Sequence, residues 1–431
     1  MQSTALRRPV PMFGSIALHD LAGVLIGIIL PLAAAALYRT YDIAVHPNWL
    51  ELTRQMGLPF VAGELAVVLW ARRCGFEPAA LIADMPRRVR AAFLLFVATF
   101  WISSAFTSQM WSFSTAITLI WCVHLLFGGA VYHLARRAGP FDSAAFAGWM
   151  SAGLALLAIW TTVHFLTPPP TLTVGYGMLG WGSAVPGFIS HRLLGAWAGA
   201  ASVLVLGVLW QQPADRASPS WLYPAFVLTT GVWIWTGTRA AVLAMGVGLL
   251  AAVLLAGRPA SRDLWWKAAL AFMVAAVIAV SLNPYGDPSF LFYRVGTYSS
   301  GNEISSGRIE FWLNALRAAM AHPLLGSGAG SCWWLVSAGG FHHVQPHNAV
   351  VQFLLSWGVV PTLPCLGLLG WMGWQVHRRA RALPSLVPLV LMLDALLAMS
   401  LVDGTLYFAR FLMLIAMLFA VCLAQTDRAR G

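Results

Sequence analysis

Twelve runs of apolar residues, most of them close to the length that crosses a bilayer, constrain this chain more than any other feature. They lie near 15–38, 57–71, 91–107, 112–135, 144–166, 190–210, 220–237, 239–256, 264–282, 347–376, 384–402 and 404–424. Backbone amides cannot stay unpaired in hydrocarbon, so such runs are expected to form helices. The expected fold class is an all-α polytopic membrane protein with about twelve transmembrane helices. Of the 431 residues, 59% are hydrophobic and only 10% are charged, against about 25% charged in soluble domains.

The formal net charge of +11 could suggest a nucleic-acid partner. Its distribution points elsewhere. Arg7/Arg8, Arg72/Arg73 with Arg87, Arg88 and Arg90, Arg136/Arg137, Arg216, Arg258 with Arg262 and Lys267, Arg378/Arg379 with Arg381, and Arg428 with Arg430 fall on alternate connections. By the positive-inside rule those connections are cytoplasmic, and both termini with them. No nucleic-acid-binding motif is present, so no nucleic acid is expected. The run from Ser15 to Leu37 is too long for a signal-peptide core and reads as an uncleaved first helix. Five scattered cysteines, with no C-x-x-C, imply no disulfide framework.

The organisation is one integrated membrane domain: helices one to nine in 1–282, a long outer loop in 283–346, and helices ten to twelve in 347–431. A second outer segment, 167–190, is rich in Pro and Gly and uncharged. Within the long loop, apolar residues at helical spacing predict a helix near 307–320, with Ser305 or Ser306 as cap and Pro323 closing it. Its one-sided Trp and Leu place it on the membrane surface or against the bundle.

Few basic residues remain on the outer side once the orienting arginines are set aside. Arg192 opens the sixth helix, Arg239 the eighth, Arg308 the loop helix, and Arg410 lies inside the twelfth. Arginine at membrane depth pairs or lines a functional cavity. For Arg410 the alternatives are a pair with Asp403 or Glu64, or snorkelling to the interface; for Arg239, an interface anchor; for Arg308, a solvated face of the loop helix, a role that suits Arg294 and Arg317 better. Guanidinium groups bind phosphate oxygens bidentately and keep their charge, so several on one face suggest a phosphorylated ligand. His347 and Asn348, at the mouth of the tenth run in "QPHNAVVQFLLSWG", offer two readings. One is a proton acceptor beside that ligand; the other is an interfacial histidine with Asn348 as helix cap. The outer carboxylates Asp42, Glu51, Asp287, Glu303, Glu310 and Asp403 are scattered, and His342/His343 with His347 lack a partner carboxylate at ligand spacing. No metal site and no cofactor are expected.

"TGTR" at 236–239, "SSGRIEFW" at 305–312 and "PHNAVVQFLLSWG" at 346–358, in that order, resemble the O-antigen ligase superfamily. That group includes WaaL-type ligases, Wzy-type polymerases and bacterial O-oligosaccharyltransferases. The resemblance covers roughly residues 225–375 by motif. It implies a GT-C-like glycosyltransferase of the Gram-negative inner membrane, with its active site facing the periplasm. The implied donor is a glycan on undecaprenyl diphosphate; the acceptor of a ligase is lipid A–core. By carry-over, Arg239 and Arg308 match the family's functional arginines, His347 its essential histidine, and Asn348 the residue that follows it. Arg192 and Arg410 match no motif and stand as substrate-binding candidates on their chemistry alone. Trp357 occupies a position where the family often has an acidic residue.

Ligase is the first expectation. The chain ends at Gly431, soon after the last run, without the outer domain of protein-glycosylating enzymes. The 167–190 loop holds no arginine, unlike the outer loops of many polymerases. A transporter of lipid-linked glycans is the alternative of another class. It would spread functional charges through the membrane or break helices symmetrically, whereas the charges here gather at one face.

Overall fold

The computed structural model of the chain describes residues 17–425, apart from 38–48, 50–51, 54–55, 167–172, 175–177, 180–184, 186, 189–190, 213–218, 256–260, 283–306, 339–340 and 343. Each apolar run contains a helix. In chain order these are α1 (Leu18–Leu37), α2 (Leu58–Arg73), α3 (Arg87–Thr107), α4 (Trp111–Ala135), α5 (Ser143–Leu166), α6 (His191–Gln211), α7 (Leu222–Trp235), α8 (Arg239–Leu255) and α9 (Arg262–Ser281). After the long loop with α10 (Arg308–Ala319) come α11 (Ala349–Trp357), α12 (Val359–Ala382), α13 (Val387–Ser400) and α14 (Ala409–Ala424). Two-residue antiparallel ladders pair Thr173–Val174 with Met178–Leu179 and Ser337–Ala338 with Phe341–His342. The protein is a polytopic helical membrane protein. Among the described residues, seven helices are long and apolar enough to cross a membrane, and α7, α8, α13 and α14 are shorter.

Helix α6 forms the centre of the bundle. It packs against α7, α8 and α13 and is buried from Leu193 to Trp210. Small residues let neighbours approach it closely. A Cβ on Gly195 would lie 2.0 Å from Thr238 Oγ1, and one on Gly207 would lie 2.8 Å from Pro388 Cα. Helices α13 and α14 complete this core, α14 lying against α4.

The tenth apolar run departs from expectation. One helix was expected over 347–376; two form, broken at Gly358. Gly358 has φ +72°, a left-handed conformation that costs glycine little. At the break the chain meets a second glycine turn. A Cβ on Gly326, itself at φ +67°, would sit 2.4 Å from Trp357 N. Backbone bonds then tie the two segments. Ser327 N donates to Leu355 O at 2.9 Å and Gly328 N to Ser356 O at 2.8 Å. Ser103 Oγ, in the π-wound last turn of α3, donates to the same Ser356 carbonyl at 2.8 Å. The carbonyls of Leu355 and Ser356, which no helical amide reaches beyond the break, are therefore satisfied. Helix α11 is thus a short, fixed element above α12 rather than the start of a span.

Helix α10 stands where the spacing predicted it. Ser305 and Ser306 lie outside the described residues; Gly307, at φ +74°, occupies the cap position without a side-chain bond. Phe311, Ala315 and Ala319 pack against Val351 and Leu355 of α11.

Candidate active site

The mouth of α11 is built by its first polar residues. Asn348 is the N-cap, its Oδ1 accepting from Val350 N at 3.0 Å and Val351 N at 3.1 Å. Its Nδ2 donates to Leu401 O at 3.0 Å, which fastens the cap to the turn after α13. Gln352, one turn in, is buried and donates to Ser356 Oγ at 2.8 Å, a bond internal to the helix. Asn348 thus ties the start of α11 to that turn and presents the residue before the cap.

That residue, His347, has φ +57°, and among the described residues no other non-glycine has positive φ. Strain of this kind persists only where surrounding bonds impose it. Gln345 Oε1 accepts from His347 N at 2.6 Å, and Trp312 of α10 donates through Nε1 to Pro346 O at 2.6 Å. The imidazole then faces Asp403, with Nδ1 3.2 Å from Oδ1. Gln345 Nε2 lies 2.9 Å from the same Nδ1, and one ring nitrogen cannot accept from the amide while donating to the carboxylate. The charged carboxylate is the stronger partner. Nδ1–H therefore points at Asp403, and the basic lone pair is on Nε2.

Asp403 lies in the turn between α13 and α14 and is 4% exposed. Its Oδ1 also accepts from Gly404 N at 2.8 Å. Arg308, the first residue of α10, reaches the other side of this carboxylate: Nη2 is 3.8 Å from Oδ2, and Nη1 donates to Val402 O. Among the described residues, Arg308 Nε has no hydrogen-bond partner. Burial pushes the Asp403 carboxyl up, but the hydrogen bond and charge of His347 and the charge of Arg308 prevail and hold it at about 2. Burial is also the main influence on His347, pushing it below the ordinary imidazole range. Asp403 pulls it back up; Arg308 and Arg192 push it down. At neutral pH the cluster is an ionised carboxylate between a guanidinium and a neutral imidazole, the arrangement of an oriented general base.

Arg192 lies on the first turn of α6, close enough for its charge to act on His347. The "TGTR" turn is its neighbour: Thr238 Oγ1 donates to Arg192 O at 3.4 Å and lies 2.8 Å from Thr236 Oγ1. Arg239 follows as the exposed first residue of α8. One end of the bundle thus gathers the first turns of α6, α8, α10 and α11.

Residues 224–364 match a family model described as O-antigen ligase. This segment belongs to the O-antigen ligase superfamily. A curated relative, the exopolysaccharide production protein ExoQ of Rhizobium meliloti (strain 1021), is 25% identical over 287 residues. That match covers 59% of this chain and 62% of ExoQ, so the chain spans less than two thirds of that relative's length. The family is of ligase and polymerase kind. The matched segment contains Arg239, Arg308, His347 and Asn348, while Arg192, Asp403 and Arg410 lie outside it.

Arg410 differs from the other arginines of the sequence reading. It is buried in the first turn of α14, donates from Nη1 to Gly187 O at 2.9 Å, and faces the rings of Phe188 at 4.8 Å and Phe60 at 5.9 Å. The carboxylates offered as its partners each face a histidine: Asp403 with His347, and Glu64 with His124 at 2.6 Å. Trp357 packs as core, stacked on Phe353 at 4.6 Å and edge-on to Phe100 at 4.8 Å. Arg317 bonds its own helix neighbour, Asn314 Oδ1, at 2.8 Å, and Arg294 lies outside the described residues. Sequence reasoning did not place Asp403 or Gln345 in the site. The available signals were a carboxylate at a membrane-helix end, in "LVDG", and a glutamine two residues before the histidine.

Proposed function

We propose that the protein is an O-antigen ligase that transfers a glycan from undecaprenyl diphosphate to lipid A–core at the periplasmic face of the inner membrane. The observation that carries this reading is His347 held against Asp403, with Arg308 on the other side of the same carboxylate. His347 Nε2 takes the proton of an acceptor sugar hydroxyl. The oxygen attacks the anomeric carbon of the donor, the bond from that carbon to the diphosphate oxygen breaks, and the electron pair leaves with undecaprenyl diphosphate. Asp403 stabilises the imidazolium that results. Arg308 and Arg239, with Arg192 beside them, stabilise the charge on the departing diphosphate. Arg410 holds the 187–188 turn to the core.

The reaction proceeds without a divalent metal in this reading. A magnesium site uses one or two carboxylates facing the phosphate. Here the carboxylate at the site, Asp403, is already committed to a histidine and an arginine, and the surrounding guanidinium charges repel a cation. Purified protein in nanodiscs, given donor and lipid A–core, is expected to transfer the glycan fully in excess EDTA. Loss of transfer that Mg²⁺ or Mn²⁺ restores would overturn the arginine-only account.

A second reading is a polymerase that extends one lipid-linked glycan with another, and the likeness to an exopolysaccharide production protein favours it. The two share every step above and differ in the acceptor. Supplying lipid A–core and a second lipid-linked glycan in the same nanodiscs, and resolving the products by mass, decides between them.

A further inference from the structure

Helix α10 has three faces. Phe311, Ala315 and Ala319 pack on α11. Glu310, Asn314 and Arg317 form a polar edge. Ile309, Leu313, Leu316 and Met320 form a third strip that is exposed, Leu313 by 49% and Met320 by 74%. At 100° per residue these four fall within about 60° of arc, beside the polar edge. A helix bathed in water on its free side has no reason to align four large apolar side chains.

The strip does not stop at the end of the helix. Leu324 continues it, also exposed, and there the loop is bonded to the first turn of α12: Val359 N donates to Pro323 O at 2.9 Å and Val360 N to Leu324 O at 3.0 Å. Val359 and Leu363 are exposed at that end of α12, a helix long and apolar enough to cross the membrane. One apolar surface therefore runs from a spanning helix onto α10.

We propose that α10 is an interfacial helix, its Ile309–Met320 strip in contact with the acyl chains of the bilayer, its polar edge among headgroups and water, and its third face on α11. Continuity with the lipid-facing side of α12 selects the bilayer as the occupant. The placement sets the depth of the site: Arg308 opens this helix, so its guanidinium stands at headgroup level, where a lipid carries its phosphate.

The test reads depth rather than turnover, so it stands or falls separately from the proposed transfer activity. Cys332, Cys365 and Cys422 are buried, and in a Cys74→Ser, Cys122→Ala chain single cysteines at Leu313, Leu316 or Arg317 take a bimane label. In nanodiscs, nitroxide lipids labelled near the top of the acyl chain are expected to quench positions 313 and 316 about twofold more than 317, and aqueous iodide the reverse. Equal iodide quenching at all three positions, or protection of 313 and 316 from both quenchers, overturns the proposal; the latter result assigns the strip to a protein partner. In the unsubstituted chain, a diazirine on a phospholipid acyl chain is expected to mark residues 309–320 as well as Leu363. Labelling at Leu363 with none on α10 overturns it equally.

Discussion

Two histidine–carboxylate pairs in this molecule have nearly the same chemistry and opposite surroundings. His347 and Asp403 meet in loops at one end of the bundle, at 3.2 Å, with Arg308 on the carboxylate and Arg192 within electrostatic reach. His124 and Glu64 meet between α4 and α2, at 2.6 Å, with exposures of 4% and 0%. Among the described residues, no arginine faces that second pair, and its outer atoms, His124 Nε2 and Glu64 Oε1, have no hydrogen-bond partner. An edge-on Trp121 seals it at 6.0 Å. A base needs a partner that orients it and an open side that meets substrate. The first pair stands at the end of the bundle where α6, α8, α10 and α11 begin, while the second is enclosed between two helices and works as a tie between them.

The sharpest way to break the comparison is to remove each histidine. His347→Ala is expected to insert and fold normally and to lose about 10²–10⁴-fold in transfer, the usual contribution of a general base. Near-normal turnover of the purified variant would end the assignment. The arginines come next. Arg308→Lys and Arg239→Lys keep the charge but lose the planar fork, and each is expected to slow turnover on the order of 10²-fold. Single-turnover rates at saturating donor separate this from weaker binding.

The sealed pair should fail in a different currency, stability rather than rate. Glu64→Gln leaves His124 with a poorer partner and is expected to cost up to about 3–5 kcal/mol, the range for breaking a buried pair. The double variant Glu64→Leu, His124→Phe should recover most of that loss, since apolar replacement of both partners is often neutral. Thermal unfolding in detergent measures both, and the turnover of whatever remains folded should be unchanged. A lost rate at full stability would move His124 into the catalytic machinery.

A subtler test uses pH. Transfer falls on the acid side as His347 takes up a proton, and burial places that limb below the ordinary imidazole value of about 6.5. Asp403 raises the histidine's proton affinity, so Asp403→Asn should shift the limb to lower pH. Arg308 lowers it, so Arg308→Gln should shift the limb to higher pH. The positions of the two limbs, independent of their heights, are the measurement; shifts in the same direction would contradict the geometry. The smallest effect is expected at Arg317→Ala, on the polar edge of α10, with stability changed by no more than about 0.5 kcal/mol and turnover nearly intact.

What the sequence determined by itself follows from local rules. Spanning runs must be helical because hydrocarbon offers backbone amides no other partner, so each apolar run holds a helix. The loop helix near 307–320 was legible because apolar residues keep helical spacing up to Pro323, whereas Gly307 at its cap position came from the structure. His347, Asn348, Arg239 and Arg308 are site candidates because motifs carry them. What only the tertiary structure decided concerns contacts between residues far apart in the chain. Asp403 is 56 positions from His347, and no local pattern records that the turn after α13 comes down onto the mouth of α11. Arg410 and Asp403 are seven residues apart and were natural partners on paper. In the folded protein Arg410 is bonded to the 187–188 turn while Asp403 serves the histidine. The break at Gly358 was equally hidden, because glycine is tolerated within an apolar helix and breaks one only when something across it captures the freed groups. Here the second glycine turn, at Gly326, brings the amides that do so.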